Sequence, residues 1–270
     1  MSARYAVLSV IALFPFTTVL YGQRVYSGGF STTPKYARYS YVESADLASH
    51  LSVGEKVRMD NCRKAIMQDD PELLRKAMGR NFKINIKYPN ESLLQFAVRS
   101  RKIRCIQFIL SLNPDVNCTD NFGHTPLFLC SRDNDVHIAQ LLMNSRAGTY
   151  HQDRVSKWNV FHKAASENSG LDTLRVLMHD KSGLNAHDIN GLTPLHLAVS
   201  RTPHASLAVV NFLLRNGAHV NAVDRKGRTP LDMVRQKDIV NCLLSYGAVH
   251  GFSNSRRRTS GYSGEIRILD

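Results

Sequence analysis

An all-α solenoid of about six helix-turn-helix units joined by β-hairpins is the fold that this 270-residue sequence predicts. Three observations predict it. A motif, fullest at Thr193-Pro194-Leu195-His196, recurs as Thr125-Pro126-Leu127 and Thr229-Pro230-Leu231, and in weaker form as Asn159-Val160-Phe161-His162 and Ser92-Leu93-Leu94-Gln95. The copies start at 92, 125, 159, 193 and 229, so the offsets are 33, 34, 34 and 36 residues. Each copy is followed by a second apolar stripe, as in Val209-Val210-Asn211-Phe212-Leu213-Leu214 before Gly217. A unit this short buries its apolar faces only against its neighbours, so a fixed period near 33 residues marks a stacked array.

The elements follow in chain order. Asp60 lies 32 residues before Ser92, and the stretch 62–78 supplies a degenerate first pair of helices. Copy two carries Ala97, Ile106, Phe108, Ile109 and Leu110, then Asp115-Val116-Asn117. Copy three reads Asp120-Asn121-Phe122-Gly123-His124-Thr125-Pro126-Leu127, then Ile138, Ala139, Leu141, Leu142 and Met143. Copy four keeps Phe161, His162, Ala164 and Ala165, then Leu171, Leu174 and Leu177, with Asn159 as a good helix cap in place of Thr. In copy five Thr193 is an N-cap whose hydroxyl can accept a first-turn amide, and Pro194 suits the first helical position, where no donor is needed. Small Ala198 lets two helices approach, and Gly217 closes the second helix in a left-handed conformation. Copy six ends with Ile239, Val240, Leu243 and Leu244, then Gly247-Ala248.

Asp188-Ile189-Asn190-Gly191-Leu192-Thr193-Pro194-Leu195-His196-Leu197-Ala198 fills each position as the ankyrin-repeat family fills it, and the chain resembles that family over about 57–249. The resemblance implies an ankyrin-repeat solenoid with atypical end repeats. It implies that Phe128, standing where the family has His, lacks the hydrogen bond usually made there. It also implies that a partner docks on the hairpin tips and the inner-helix face, which the curvature makes concave. Carried over by position, the tips are Tyr88 and Asn90, then Asn121, Phe122 and His124, then Val155, Ser156 and Trp158. They continue as Ile189, Asn190 and Leu192, then Arg225, Lys226 and Arg228, with Arg99, Arg132, Glu167 and Arg201 on the inner helices. Phe122, Trp158, Ile189 and Leu192 predict a central apolar strip flanked by basic residues. Trp158, the sole tryptophan, is the strongest candidate anchor, the alternative being that it folds onto its own hairpin.

The net charge of +13 allows an acidic partner, nucleic acid or an anionic membrane. Residues 60–249 hold 25 Lys and Arg against 17 Asp and Glu, a net of +8, concentrated in the first two repeats. That concentration is either a solvated basic face or an anion-binding patch, the second giving an alternative function as an anionic-ligand or RNA-ligand sensor. Five cysteines, Cys62, Cys105, Cys118, Cys130 and Cys242, form no CxxC pair; all but Cys118 fall in predicted helices as small apolar residues.

The ends carry separate expectations. Residues 5–21 are uncharged and follow Arg4, which reads as a signal peptide within 1–22; a membrane anchor or an untargeted start are the alternatives. Residues 23–56 read as a Tyr- and Ser-rich linker, and 250–270 as a basic Ser- and Arg-rich tail with Ser260 as a phosphorylation candidate after Arg256-Arg257-Arg258. Asn90 and Asn117 head glycosylation acceptor sequences, meaningful only on a secretory route. Secretion is favoured over a cytoplasmic or membrane-anchored location.

The sequence holds no phosphate loop, metal-spaced Cys/His pair or nucleophile turn. His162 and His196 belong to the repeat motif, and Asp120, Asp188 and Asp224 read as hairpin residues that bond local amides. No catalytic residue, metal site or cofactor is expected. The predicted function is a non-enzymatic, monomeric protein-interaction scaffold or adaptor, as a secreted effector if the leader is used, with nucleic acid disfavoured as partner.

Overall fold

The computed structural model describes residues 51–131, 135–166, 171–200 and 205–252. The leader and most of the linker (1–50), Arg132, Glu167, Arg201 and the tail from 253, with Ser260, lie outside the described residues. Within them the chain makes twelve helices in six pairs: α1 (Val53–Met67) with α2 (Pro71–Met78), α3 (Leu93–Arg99) with α4 (Ile103–Ser111), and α5 (Pro126–Ser131) with α6 (Val136–Asn144). The series continues with α7 (Val160–Ser166) and α8 (Leu171–Leu177), α9 (Pro194–Ser200) and α10 (Leu207–Arg215), α11 (Pro230–Met233) and α12 (Lys237–Ser245).

The first helices stack in one row, α1 on α3 on α5 on α7 on α9 on α11. The second helices pack behind them, α2 on α4 and then α6 on α8 on α10 on α12. The core between the rows is the set of motif positions: Leu94, Leu127, Phe161 and Leu195 from first helices, Ile106, Ile138, Leu142, Leu174 and Leu213 from second helices. Truncating one of these leucines to alanine removes its transfer energy and leaves a cavity, a loss of about 2–5 kcal/mol.

α1 starts at Val53, inside the stretch read from sequence as linker. Its start is fixed by a reciprocal cap: the Glu55 amide donates to Ser52 Oγ and the Glu55 carboxylate accepts from the Ser52 amide. Pro71 sits at the first position of α2 behind the cap Asp70. Gly217 and Gly247 close α10 and α12 with φ of +99° and +76°, the left-handed conformation expected of a C-terminal glycine.

The connecting hairpins are short. Each closes on a backbone bond, Asp120 N–H to His124 O (3.0 Å), Asp153 to Trp158 (2.7 Å), Asp188 to Leu192 (2.8 Å) and Asp224 to Arg228 (2.9 Å). An isolated bridge between Lys87 and Ser92 is the one β-pairing among the described residues.

Candidate functional site: the hairpin tips

One aspartate shapes each hairpin. Asp120 Oδ1 accepts the amides of Phe122 (2.9 Å) and His124 (2.8 Å). Asp188 repeats this with Asn190 and Leu192, and Asp224 with Lys226 and Arg228. In the hairpin of copy four, one residue longer, Asp153 accepts from Val155, Ser156 and Lys157. Against the cost of burial, hydrogen bonds from His124 hold the Asp120 carboxyl below the usual range, and those from Arg228 do the same for Asp224. Asp120 and Asp224 are therefore ionised but turned inward.

Neighbouring hairpins are bonded edge to edge. The Arg154 amide donates to Phe122 O (2.8 Å), Ile189 to Ser156 O (2.9 Å) and Arg225 to Asn190 O (3.0 Å). Asn121 Nδ2 reaches back to Asn90 Oδ1 at 2.9 Å. The tips thus form one continuous row across copies two to six.

A second ladder holds the row to the helices. Gln95 Nε2 donates to His124 O (2.8 Å), His162 Nε2 lies 3.0 Å from Leu192 O, and His196 Nε2 lies 3.2 Å from Arg228 O. Both histidines are fully buried. Burial lowers both pKa values, His162 to about 4, so the rings are neutral and one nitrogen is free to accept. In copy five that acceptor is His196 Nδ1, which takes the Thr193 amide at 3.1 Å and its hydroxyl at 2.9 Å. The Thr193 hydroxyl therefore serves the ring instead of accepting a first-turn amide. In copy three, where Phe128 replaces histidine, the Thr125 hydroxyl does accept the Phe128 amide (3.2 Å). Asn159 Oδ1 accepts the His162 amide (3.1 Å), as its capping role requires.

The sequence-assigned positions divide into three groups. Phe122 (60%), Ile189 (47%) and Val155 (40%) are exposed apolar side chains on three adjacent hairpins, and Asn190, Arg225 and Lys226 are exposed beside them. Asn121, Ser156, Leu192 and Arg228 are half-buried; Arg228 is held by Asp224 at 2.7 Å. Trp158 and Tyr88 are half-buried and engaged. The Trp158 indole donates to Asp188 Oδ2 (3.2 Å) and stacks on His162, so it braces hairpin four against hairpin five. Tyr88 lies under the Arg63 guanidinium, 5.5 Å from the ring centre. The exposed strip is therefore Phe122, Val155 and Ile189, with Leu192 and Trp158 at its base.

Two features escaped sequence reasoning. Phe122 begins a stack of three rings, with His124 5.7 Å away and Phe128 a further 4.6 Å, running from tip to inner helix. Buried Glu91 pairs with both Arg63 (3.3 Å) and exposed Arg99, and both guanidiniums lie against the Phe96 ring. Burial raises the Glu91 pKa against the pull of the two arginines. Nothing in the spacing of 63, 91 and 99 announces this knot, because Glu91 sits at the variable last residue of its hairpin.

The acceptor sequences are part of the scaffold. Asn117 Oδ1 takes the Gly148 amide (2.8 Å) one repeat along, and the Ser92 hydroxyl is buried as the cap of α3. None of the five cysteines is in a disulfide. Burial pushes the thiols of Cys62 and Cys105 up to about 11 and about 12, so neither is a ready thiolate. Among the described residues no His, Cys, Asp and Glu group could hold a metal ion, and no helix is long and apolar enough to cross a membrane.

Stacked helix pairs carrying a bonded row of hairpin tips define a solenoid scaffold. The chain belongs to the ankyrin-repeat family: the family described as ankyrin repeats (3 copies) matches residues 63–155 and 161–254. It is similar to the putative ankyrin repeat protein FPV031 of fowlpox virus, 29% identical over 57% of this chain and 47% of that one. It is also similar to bovine NF-kappa-B inhibitor zeta (26% identical, 68% of this chain, 26% of that one). Yeast oxysterol-binding protein homolog 2 is 27% identical over 56% of this chain and 12% of its own length. The chain spans about half the length of the fowlpox relative and far less of the other two. A crystal structure of the ankyrin repeat protein EF0377 shares the fold, with a TM-score of 0.61, 21% identity, and coverage of 69% of this chain and 97% of the other.

Proposed function

We propose that the chain is a non-enzymatic protein-interaction module whose partner docks on the hairpin tips. The observation that carries this reading is the exposed strip of Phe122, Val155 and Ile189 on three consecutive, backbone-bonded hairpins. Exposed apolar side chains scattered singly need no explanation, but an aligned set on a rigid row is a surface built for burial. The row is preorganised, because each tip is held by its aspartate and by its neighbour, so docking spends little on ordering it. The name of the NF-kappa-B inhibitor relative, which describes inhibition of a protein, is in keeping with this reading.

The test is a benzophenone side chain placed at position 122 of the full chain in cells, against the same group at Leu112, an exposed position at the end of α4. A protein adduct formed at 122 and missing at 112 supports the reading. Equal labelling at both, or labelling at 112 alone, overturns it. The secreted form of this module depends on residues 5–21; an expressed chain starting near Gln23 supports it, and one starting at Met1 removes it.

A further inference from the structure

We propose that the occupant of the tip row is an extended, acidic segment of a partner protein carrying apolar side chains at every third position, with one end in a cleft beneath the second hairpin. This rests on the tips being the protein-binding surface, and it adds the chemistry and spacing of what binds.

The spacing comes from the hairpins. Each contributes two chain segments side by side, and successive hairpins are joined by a backbone bond, so adjacent tips are about 9–10 Å apart at the usual spacing of hydrogen-bonded segments. An extended chain of the polyproline II type advances about 3.1 Å per residue with about three residues per turn, so every third side chain faces the row and meets one tip, whereas a β-strand turns i and i+3 to opposite faces. Phe122, Val155 and Ile189 would then take apolar side chains at i, i+3 and i+6. A helix laid along the row meets the tips about every six to seven residues, at about 1.5 Å each, and so predicts a different pattern.

The charge comes from an asymmetry along the row. Every hairpin acid from Asp120 to Asp224 is spent on its own backbone amides. Arg154 and Lys157 in hairpin four, and Arg225 and Lys226 in hairpin six, are exposed, and none of the four has a carboxylate partner among the described residues. At the other end a cleft of about 430 Å³ opens beside Asn121, lined by Leu51, Ile86, Pro89, Lys83, Lys87 and Glu55. Lys87 Nζ donates to the Thr119 carbonyl and Glu55 offsets one charge, so the cleft offers an apolar floor with a small excess of positive charge, which fits an apolar chain end with an acid beside it.

Most of the chain outside the repeats does not match this surface: residues 1–42 contain Arg4, Arg24, Lys35 and Arg38 and neither Asp nor Glu, and 256–258 are all Arg. The stretch Glu265-Ile266-Arg267-Ile268-Leu269-Asp270 does carry acids with apolar residues three apart, and a rise in peptide affinity on deleting it would make it, and not a partner, the occupant. A second copy, at +13, is repelled. A phosphate backbone satisfies the charges, but it gains nothing from aliphatic Val155 and Ile189, which offer no ring for base stacking.

The experiment pans displayed random peptides of about fifteen residues, long enough to run the row, against the full chain at physiological salt. The enriched peptides are then measured on F122D/I189D and K83E/K226E. We expect net-negative sequences with apolar residues three apart, bound at least about tenfold more weakly by both variants, whose melting temperatures match the wild type. Neutral or basic sequences, or another spacing, that still need Phe122 and Ile189 overturn this inference and leave the tip surface standing. Enrichment indifferent to F122D/I189D, or no enrichment, removes both. A uridine oligonucleotide that binds more tightly than the peptides, with a steep salt dependence, also overturns it. So does a chain that sediments as a dimer until Phe122 is replaced.

Discussion

His196 Nε2 lies 3.2 Å from the carbonyl oxygen of Arg228, one repeat along the chain. The same bond is made by His162 to Leu192 and by Gln95 to His124, so an amide and an imidazole do one job at equivalent positions. In each case the carbonyl already accepts its own hairpin's amide and uses its second lone pair for the ladder.

That equivalence gives a pH prediction. Burial depresses the His162 pKa to about 4, so the neutral ring's contribution is complete above about pH 6.5 and is lost as pH falls through about 4. The loss is about 3 kcal/mol over that window. His162→Gln should keep stability near pH 7 within about 1 kcal/mol and flatten the slope between pH 6.5 and 4 in urea titrations. A variant with the wild-type slope would place the titration elsewhere.

Copy three is the gap in the ladder. Phe128 brings no ring nitrogen to the Trp158 carbonyl, which accepts the Asp153 amide (2.7 Å) as its counterparts accept theirs. Phe128→His should raise stability by about 0.5–1.5 kcal/mol, read as a higher urea midpoint at unchanged slope.

Trp158 is braced by Asp188 and stacked on His162. Trp158→Ala should therefore cost about 1–3 kcal/mol of stability whatever it does to binding. An unchanged melting temperature would return Trp158 to the role of a pure surface anchor.

Glu91 pairs with two guanidiniums from a nearly closed site and offsets one of their two charges. Glu91→Gln leaves that positive charge uncompensated and should cost about 2–3 kcal/mol, measurable by thermal melting.

Much of this molecule was legible in its sequence, for physical reasons. The period and the Thr-Pro-Leu motif work because cap, proline and closing glycine act within one turn of their own helix, as Pro71, Thr125 and Gly217 show. The hairpin aspartates were legible for the same reason: their partners lie two and four residues away. What acts across repeats was harder to see. The engagement of Trp158 by Asp188, thirty residues on, and the Arg63–Glu91–Arg99 knot are side-chain meetings that local spacing does not encode. The start of α1 was hidden because its capping box at Ser52 and Glu55 precedes a helix with a weak apolar stripe, whose Val53 and Val57 are exposed.

The central claim is that the hairpin tips are the surface that binds. Its most direct test is the affinity of the protein captured at position 122 for F122D/I189D, with L112D as control and melting temperatures alongside. The account predicts a loss of at least about tenfold for F122D/I189D at an unchanged melting temperature, and wild-type affinity for L112D. Wild-type affinity in F122D/I189D, or an equal loss in L112D, would contradict it.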